Sequence, residues 1–196
     1  MSATDFQGRH RMTRTLILGG ARSGKSAHAE SLASGSGKEV IYIATARAKD
    51  SEMAARIGHH RQRRPAAWTT VEEPFALGEA LLRWRSQQRI VIVDCLTLWL
   101  SNLLFSGQTA FPEIGMIELP PLLQEQRAQF LDALAQPGGD IVLVSNEVGM
   151  GIVPQGAVSR CFADEAGRLN QAVASICERV VLVAAGLPLV LKADAC

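Results

Sequence analysis

The stretch GGARSGKS, Gly19 to Ser26, decides how the rest of this chain is read. It satisfies G-x-x-x-x-G-K-[ST], with Gly19, Gly24, Lys25 and Ser26 in the fixed places. With glycine at about 7% of ordinary residues, a chance match in a chain of this size is roughly a one-in-a-hundred event. The apolar run TLILG leads into it and a helical pattern follows, which is the strand-loop-helix context of a phosphate site. Glycines there let backbone N–H groups curl around an anion, and Gly20, Ala21, Arg22 and Ser23 complete the cradle. Lys25 is placed to neutralise the β- and γ-phosphates of a nucleoside triphosphate, and the Ser26 hydroxyl to ligate Mg²⁺.

Outward from the loop, short aliphatic runs alternate with helical patterns. The runs fall at 15–19, 40–44, 90–94, 141–145 and 180–185, each nearly continuous in hydrophobicity, as in strands covered on both faces. WTTVE (68–72) is a weaker strand, and LPLVLK near the C-terminus reads as an antiparallel edge strand. Helical patterns fill 25–33, 51–62, 75–85, 96–104, 121–135 and 159–177. The alternation predicts an α/β fold: a single-domain P-loop NTPase with a doubly wound, mostly parallel sheet. Residues 1–13 read as a disordered tail before a domain spanning 14–196, and 105–120 as a surface excursion within it.

The 196 residues are 47% hydrophobic with a net charge of +1, enough apolar material for one core and no broad basic surface for nucleic acid. No run approaches the roughly 20 apolar residues of an integral membrane segment, and the N-terminus lacks a secretory apolar core. Cys95, Cys161, Cys177 and Cys196 are too far apart for a metal or redox pair. A reducing, cytoplasmic setting follows, with Cys95 and Cys177 acting as small hydrophobes.

Asp94 ends the run IVIVD, where a carboxylate holds magnesium directly or through water beside a phosphate loop. The late strand end SNEVGMG has Glu147 where a switch GTPase would carry lysine, which counts against that class. The segment RIGHHRQRRP raises a separate question. A polar helix end with basic residues is ordinarily solvated or complements the helix dipole, and His59 is read so. His60 shares a stripe with Glu52 and Arg56 at i, i+4 spacing, and Arg61, Arg63 and Arg64 follow it as a local anion clamp.

Together GGARSGKS, YIATA, DSEMAARI-x-HH, RP-x-x-W-x-T-x-E, VDCLTLWLSNLL, SNEVGMGIVP and AGRLNQ resemble the bifunctional adenosylcobinamide kinase / adenosylcobinamide-phosphate guanylyltransferase family, in order and from about Thr15 to near the C-terminus. The resemblance implies a recombinase-type sheet and two reactions. ATP or GTP phosphorylates adenosylcobinamide, and GMP then passes from GTP through a guanylylated histidine, His60 by motif position, to give adenosylcobinamide-GDP in cobalamin biosynthesis. It also implies homo-oligomers, trimers among them. Nucleotide contacts are implied at Ala44, Thr45 and Ala46, along Arg61, Gln62, Arg63 and Arg64, and at Glu72 and Asp94, with Glu72 suited to guanine N1 and N2. Asn146 and Glu147, after the fourth strong strand, are candidate substrate-site residues, while Arg168 and Asn170 read as simple helix surface. The alternatives are a P-loop small-molecule kinase without guanylyltransferase activity and a regulatory nucleotide-binding module.

Overall fold

The computed structural model describes residues 12–47, 58, 64–107 and 110–193. The helical pattern at 51–62, with both adjacent histidines, lies outside the described residues apart from Gly58, which is helical.

Seven strands form one sheet: β1 (Arg14–Gly19), β2 (Glu39–Ala44), β3 (Thr69–Glu72), β4 (Arg89–Asp94), β5 (Asp140–Asn146), β6 (Arg179–Ala184) and β7 (Leu187–Lys192). Their spatial order is β3-β2-β4-β5-β1-β6-β7, with every pair parallel except the antiparallel β6–β7 edge. The helices are α1 (Lys25–Ser34), α2 (Leu77–Trp84), α3 (Leu96–Leu104), α4 (Pro121–Ala135) and α5 (Ala157–Ile176). This is the doubly wound, mostly parallel sheet with an antiparallel edge that the sequence predicts.

The strand period of two splits the aliphatic runs between two cores. Leu16, Ile41, Val91, Val93 and Leu143 face the first, under α2, α3, α4 and α5, with Trp99 and Phe130 wholly buried there. Ile17, Val40, Tyr42, Ile92 and Val144 face the second, where α1 lays Ala29 and Ala33 on the sheet. Both faces are covered, so the central strands need no polar alternation.

Two element boundaries differ from the periodicity for identifiable reasons. α2 starts at Leu77 because Glu73 Oε1 accepts the N–H groups of Phe75 and Ala76, at 2.9 and 2.7 Å, and the Phe75 carbonyl accepts Trp99 Nε1–H at 2.8 Å. The last residues read as tail are fastened to the sheet instead. Thr13 N–H donates to Asp140 Oδ1 at 2.9 Å, and its carbonyl accepts Ile141 N–H at 3.1 Å.

At the amino end of the sheet Arg14 joins three elements. Its backbone N–H donates to Glu178 Oε2 at 2.6 Å, its Nε donates to Oε1 at 3.0 Å, and its Nη1 donates to the Leu134 carbonyl at 3.0 Å. Burial works against the Glu178 carboxylate, but the Arg14 side-chain and backbone donors outweigh it and hold the carboxyl below its ordinary value. A lowered folded-state pKa contributes stability above the ordinary value of 4.5 and loses it as pH falls through the folded value. Chemical unfolding followed from about pH 6 to about pH 3 should therefore show Glu178→Gln less stable at the upper end, with a shallower acid decline than wild type. An unchanged slope would assign the acid sensitivity elsewhere.

Candidate nucleotide-binding site

The turn out of β1 is built on close approach. A Cβ at Gly19 would lie 2.5 Å from the Val183 carbonyl oxygen of neighbouring β6, so only glycine fits. Gly24 has φ 97°, the left-handed region that side chains resist, and it is the residue from which α1 starts. Arg22 is held in the same region at φ 57° with its side chain exposed. The loop closes with Ser23 N–H on the Gly20 carbonyl at 3.2 Å and Gly186 N–H on the Ser23 carbonyl at 2.8 Å. No side chain caps α1, which leaves its first N–H groups to an incoming anion. The Lys25 ammonium rests on the Gly20 carbonyl at 3.2 Å, folded over the loop whose ligand it would neutralise. Ser23 Oγ is buried without a partner among the described residues.

Strand register assembles the rest along the carboxyl edge. Ala44 is paired with Glu72 on one side and Asp94 on the other, and Gly19 with Asn146. Adjacent strands lie about 4.8 Å apart, which puts Glu72 and Asp94 about 10 Å from one another along this row. Tyr42, on the second core, donates its hydroxyl to Asp94 Oδ2 at 2.7 Å. Burial and the nearby Asp94 carboxylate push the phenol well above its ordinary value, so it remains a donor. Asp94 Oδ1 has no partner among the described residues.

Arg64 lies over the Tyr42 ring, its guanidinium carbon 3.4 Å from the ring centre, and Trp68 stacks on Tyr42 at 6.4 Å. Arg64 Nε and Nη1 are buried with no hydrogen-bond partner among the described residues. A buried, unpartnered guanidinium is costly, and an anion is the group that would relieve it. Arg64, Trp68, Thr70 and Glu72 line a cavity of about 460 Å³, so the arginine and the acid expected at the nucleotide do share one pocket. His60, Arg61, Gln62 and Arg63 lie outside the described residues.

Thr45, one of the implied nucleotide contacts, is tied into the fold on several sides. It is fully buried; its Oγ1 donates to the Cys95 carbonyl at 2.8 Å and accepts Cys95 N–H at 2.9 Å, and its own carbonyl accepts Asn102 Nδ2–H at 2.8 Å. These bonds hold the end of β2 to the start of α3 around Asp94. Ala44 gives its carbonyl to Glu73 N–H at 2.9 Å, and Ala46 is half-buried just beyond.

Asn170 requires a correction. It is not helix surface but buried, with Oδ1 accepting the Ser145 hydroxyl at 2.7 Å and Nδ2 directed at the Asn146 carbonyl at 3.4 Å. Asn146 in turn donates its amide to Thr97 Oγ1 at 2.7 Å, while Glu147 Oε1 turns back to accept Gly149 N–H at 2.6 Å. Arg168 does lie at the surface, ion-paired to buried Glu165. Cys95 is a buried thiol pushed up to about 11 by its burial and the Asp94 charge, which suits packing and not nucleophilic attack.

A parallel sheet with this loop at the end of a central strand defines a P-loop nucleoside-triphosphate-binding protein. Solved structures agree on the fold. The type III secretion ATPase EscN of enteropathogenic E. coli superposes with a TM-score of 0.54 at 15% identity, over 93% of this chain and 48% of that one. The chain thus spans about half of that ATPase. By sequence, residues 15–191 match the family model described as CobU, cobinamide kinase / cobinamide phosphate guanyltransferase. The bifunctional adenosylcobalamin biosynthesis protein CobP of Pseudomonas aeruginosa is 51% identical over 92% of this chain and 98% of its own length. The corresponding CobU of Escherichia coli K12 is 41% identical over 90% and 98%. The chain belongs to the cobinamide kinase / cobinamide phosphate guanyltransferase family.

Asn170→Leu keeps the side-chain volume but orphans the buried Ser145 hydroxyl. It should destabilise the fold by about 1–3 kcal/mol, read as a lower urea midpoint. A midpoint equal to wild type would mean that the Asn170 bond contributes nothing net.

Proposed function

We propose that this chain phosphorylates the alcohol of adenosylcobinamide with ATP or GTP and then guanylylates that phosphate from GTP, His60 carrying the GMP between donor and acceptor. The observation that carries the reading is one sheet edge with two anion-recognition features, the phosphate loop at Gly19 and the Arg64–Glu72 pocket, joined through Asp94 and Tyr42. A kinase must manage charge at the γ-phosphate and a guanylyltransferase at the α-phosphate. A site with cationic groups at both ends suits a triphosphate used in both ways.

In the kinase step the acceptor oxygen forms a bond to γ-phosphorus, the bridging bond to the β-phosphate breaks, the nucleoside diphosphate leaves, and the hydroxyl proton is released. Lys25 stabilises the phosphate oxygens as that charge moves. In the transferase step an imidazole nitrogen of His60 bonds to α-phosphorus and pyrophosphate departs. The cobinamide phosphate oxygen then displaces the nitrogen, which restores the histidine. His60 and Arg64 are four positions apart, so chain length alone keeps their Cα atoms within about 14 Å. Arg64 is then assigned to the same phosphates, and Arg61, Gln62, Arg63 and Arg22 are assigned to the nucleotide with it. Glu72, which lines the same pocket as Arg64, would accept the guanine N1 and N2 hydrogens.

Magnesium fits the donors present, because Asp94 is fixed by Tyr42 through one oxygen and keeps the other, and Ser26 opens α1. Bound there by Ser26 and Asp94, directly or through water, it would neutralise phosphate charge. Among the described residues no helix is long and apolar enough to cross a membrane. The working form we propose is a cytoplasmic homo-oligomer, a trimer by likeness to the family, with 14–196 acting as one catalytic domain and with Asn146 and Glu147 on the acceptor side.

Incubation with Mg²⁺ and α-labelled GTP, then denaturation, should leave acid-labile, base-stable label on the protein. His60→Ala should lose that label and keep γ-phosphoryl transfer, whereas Lys25→Ala should lower both reactions by about 10²–10³-fold. Label persisting in His60→Ala removes that histidine from the mechanism. An unlabelled wild type that still phosphorylates the corrinoid would leave a kinase alone.

A further inference from the structure

The groups described so far bind a nucleotide and give the acceptor no seat. In-line attack on the γ-phosphate brings the acceptor hydroxyl over the strand ends, beyond the phosphate end of the loop. β5 ends there, with Glu147 N–H donating to the Gly19 carbonyl at 3.1 Å. Past that point the chain passes onto the face covered by α3 and α5. Val148 forms a wall of an open groove of about 410 Å³, with Ser101 of α3, Phe105 just past its end, and Val158 and Phe162 of α5 completing it. Thr97, in the first turn of α3, holds the Asn146 amide, so groove and phosphate loop are fastened to the same strand end.

The rim is unusually apolar for exposed chain. Ile114 and Met116 are 85% and 96% exposed, and Met150 and Ile152 are 78% and 98% exposed. These belong to two loops that touch, since Ala157 N–H donates to the Glu113 carbonyl at 3.1 Å. Clustered exposed apolar side chains around a concave surface mark a binding site, and the occupant must be broad and apolar on its faces.

We propose that this groove and its two loops seat the corrin ring of the acceptor, edge inward between α3 and α5, with the alcohol-bearing arm reaching past Asn146 and Glu147 to the phosphate loop. The inference rests on the acceptor being a corrinoid, as in the proposed function. Its ring offers apolar faces to the loops and peripheral amides to Ser101 and Glu147. Continuity with the phosphate loop favours this occupant over a second copy of the chain, because a substrate has to span groove and phosphate whereas a subunit contact does not.

The test is steady-state phosphorylation of adenosylcobinamide at saturating ATP. Val148→Asp and Ile152→Asp should each raise the KM for the corrinoid about tenfold while leaving the KM for ATP in place. Leu82→Asp on α2, an apolar residue 44% exposed and close in that respect to Val148 at 38%, should change neither and serves as the surface control. Self-guanylylation from α-labelled GTP needs no corrinoid and reports on the function itself. Its absence from wild type would refute the transferase reading. Normal labelling with an unchanged corrinoid KM in both aspartate variants would overturn the groove alone. A smaller sedimenting mass with unchanged KM would also overturn it and give the surface to a second copy.

Discussion

The site depends on how closely β1 and β6 approach at their carboxyl ends. Gly19 can turn away from the sheet only because nothing projects from its Cα toward the Val183 carbonyl, and the Ser23 carbonyl is then pinned by Gly186 from the β6–β7 turn. A loop that offers backbone N–H groups to an anion needs rigid ends, or the entropy of ordering it would be lost from binding. Here one end is a central strand, the other is a helix start, and the middle is buttressed by a hairpin turn.

A second dependency runs across the sheet. Thr45 locks the end of β2 to Cys95, Tyr42 holds Asp94 from within the core, and Arg64 lies on the Tyr42 ring. The carboxylate beside the phosphate loop and the guanidinium of the neighbouring pocket are therefore braced by one aromatic side chain. In the proposed reactions these groups would act on opposite ends of a triphosphate, and their shared support fixes their separation. Such positioning is how a folded scaffold lowers the entropic cost of group transfer.

Much of this was legible in the chain itself. Continuous aliphatic runs marked the central strands because both faces are covered, and GGARSGKS carried its own backbone requirements. β3 was fainter because it has only four residues and alternates between half-buried and exposed at the sheet margin. Asn170 misled because helical periodicity reports a face, not what lies under it. It stands beside Leu169 and one turn from Ala166 and Val173, all buried, and that stripe was the available signal. Tyr42 passed as one more apolar residue in VIYIA, and only the register that places it near Asp94 reveals its hydroxyl as functional. The bonds between Thr45 and Cys95 were invisible in the chain because the two residues lie 50 positions apart.

The position of β1 has a consequence for the order in which the molecule comes into being. The strand that carries the phosphate loop is the first one made, yet its neighbours β5 and β6 begin at residues 140 and 179. A ribosome releases residues N-terminal first, at about 5–20 per second, so β1 must wait for nearly the whole chain before it can pair on either side. The last support of the loop, Gly186, emerges within the final strands. The shape of the loop thus depends on strands made long after the motif itself.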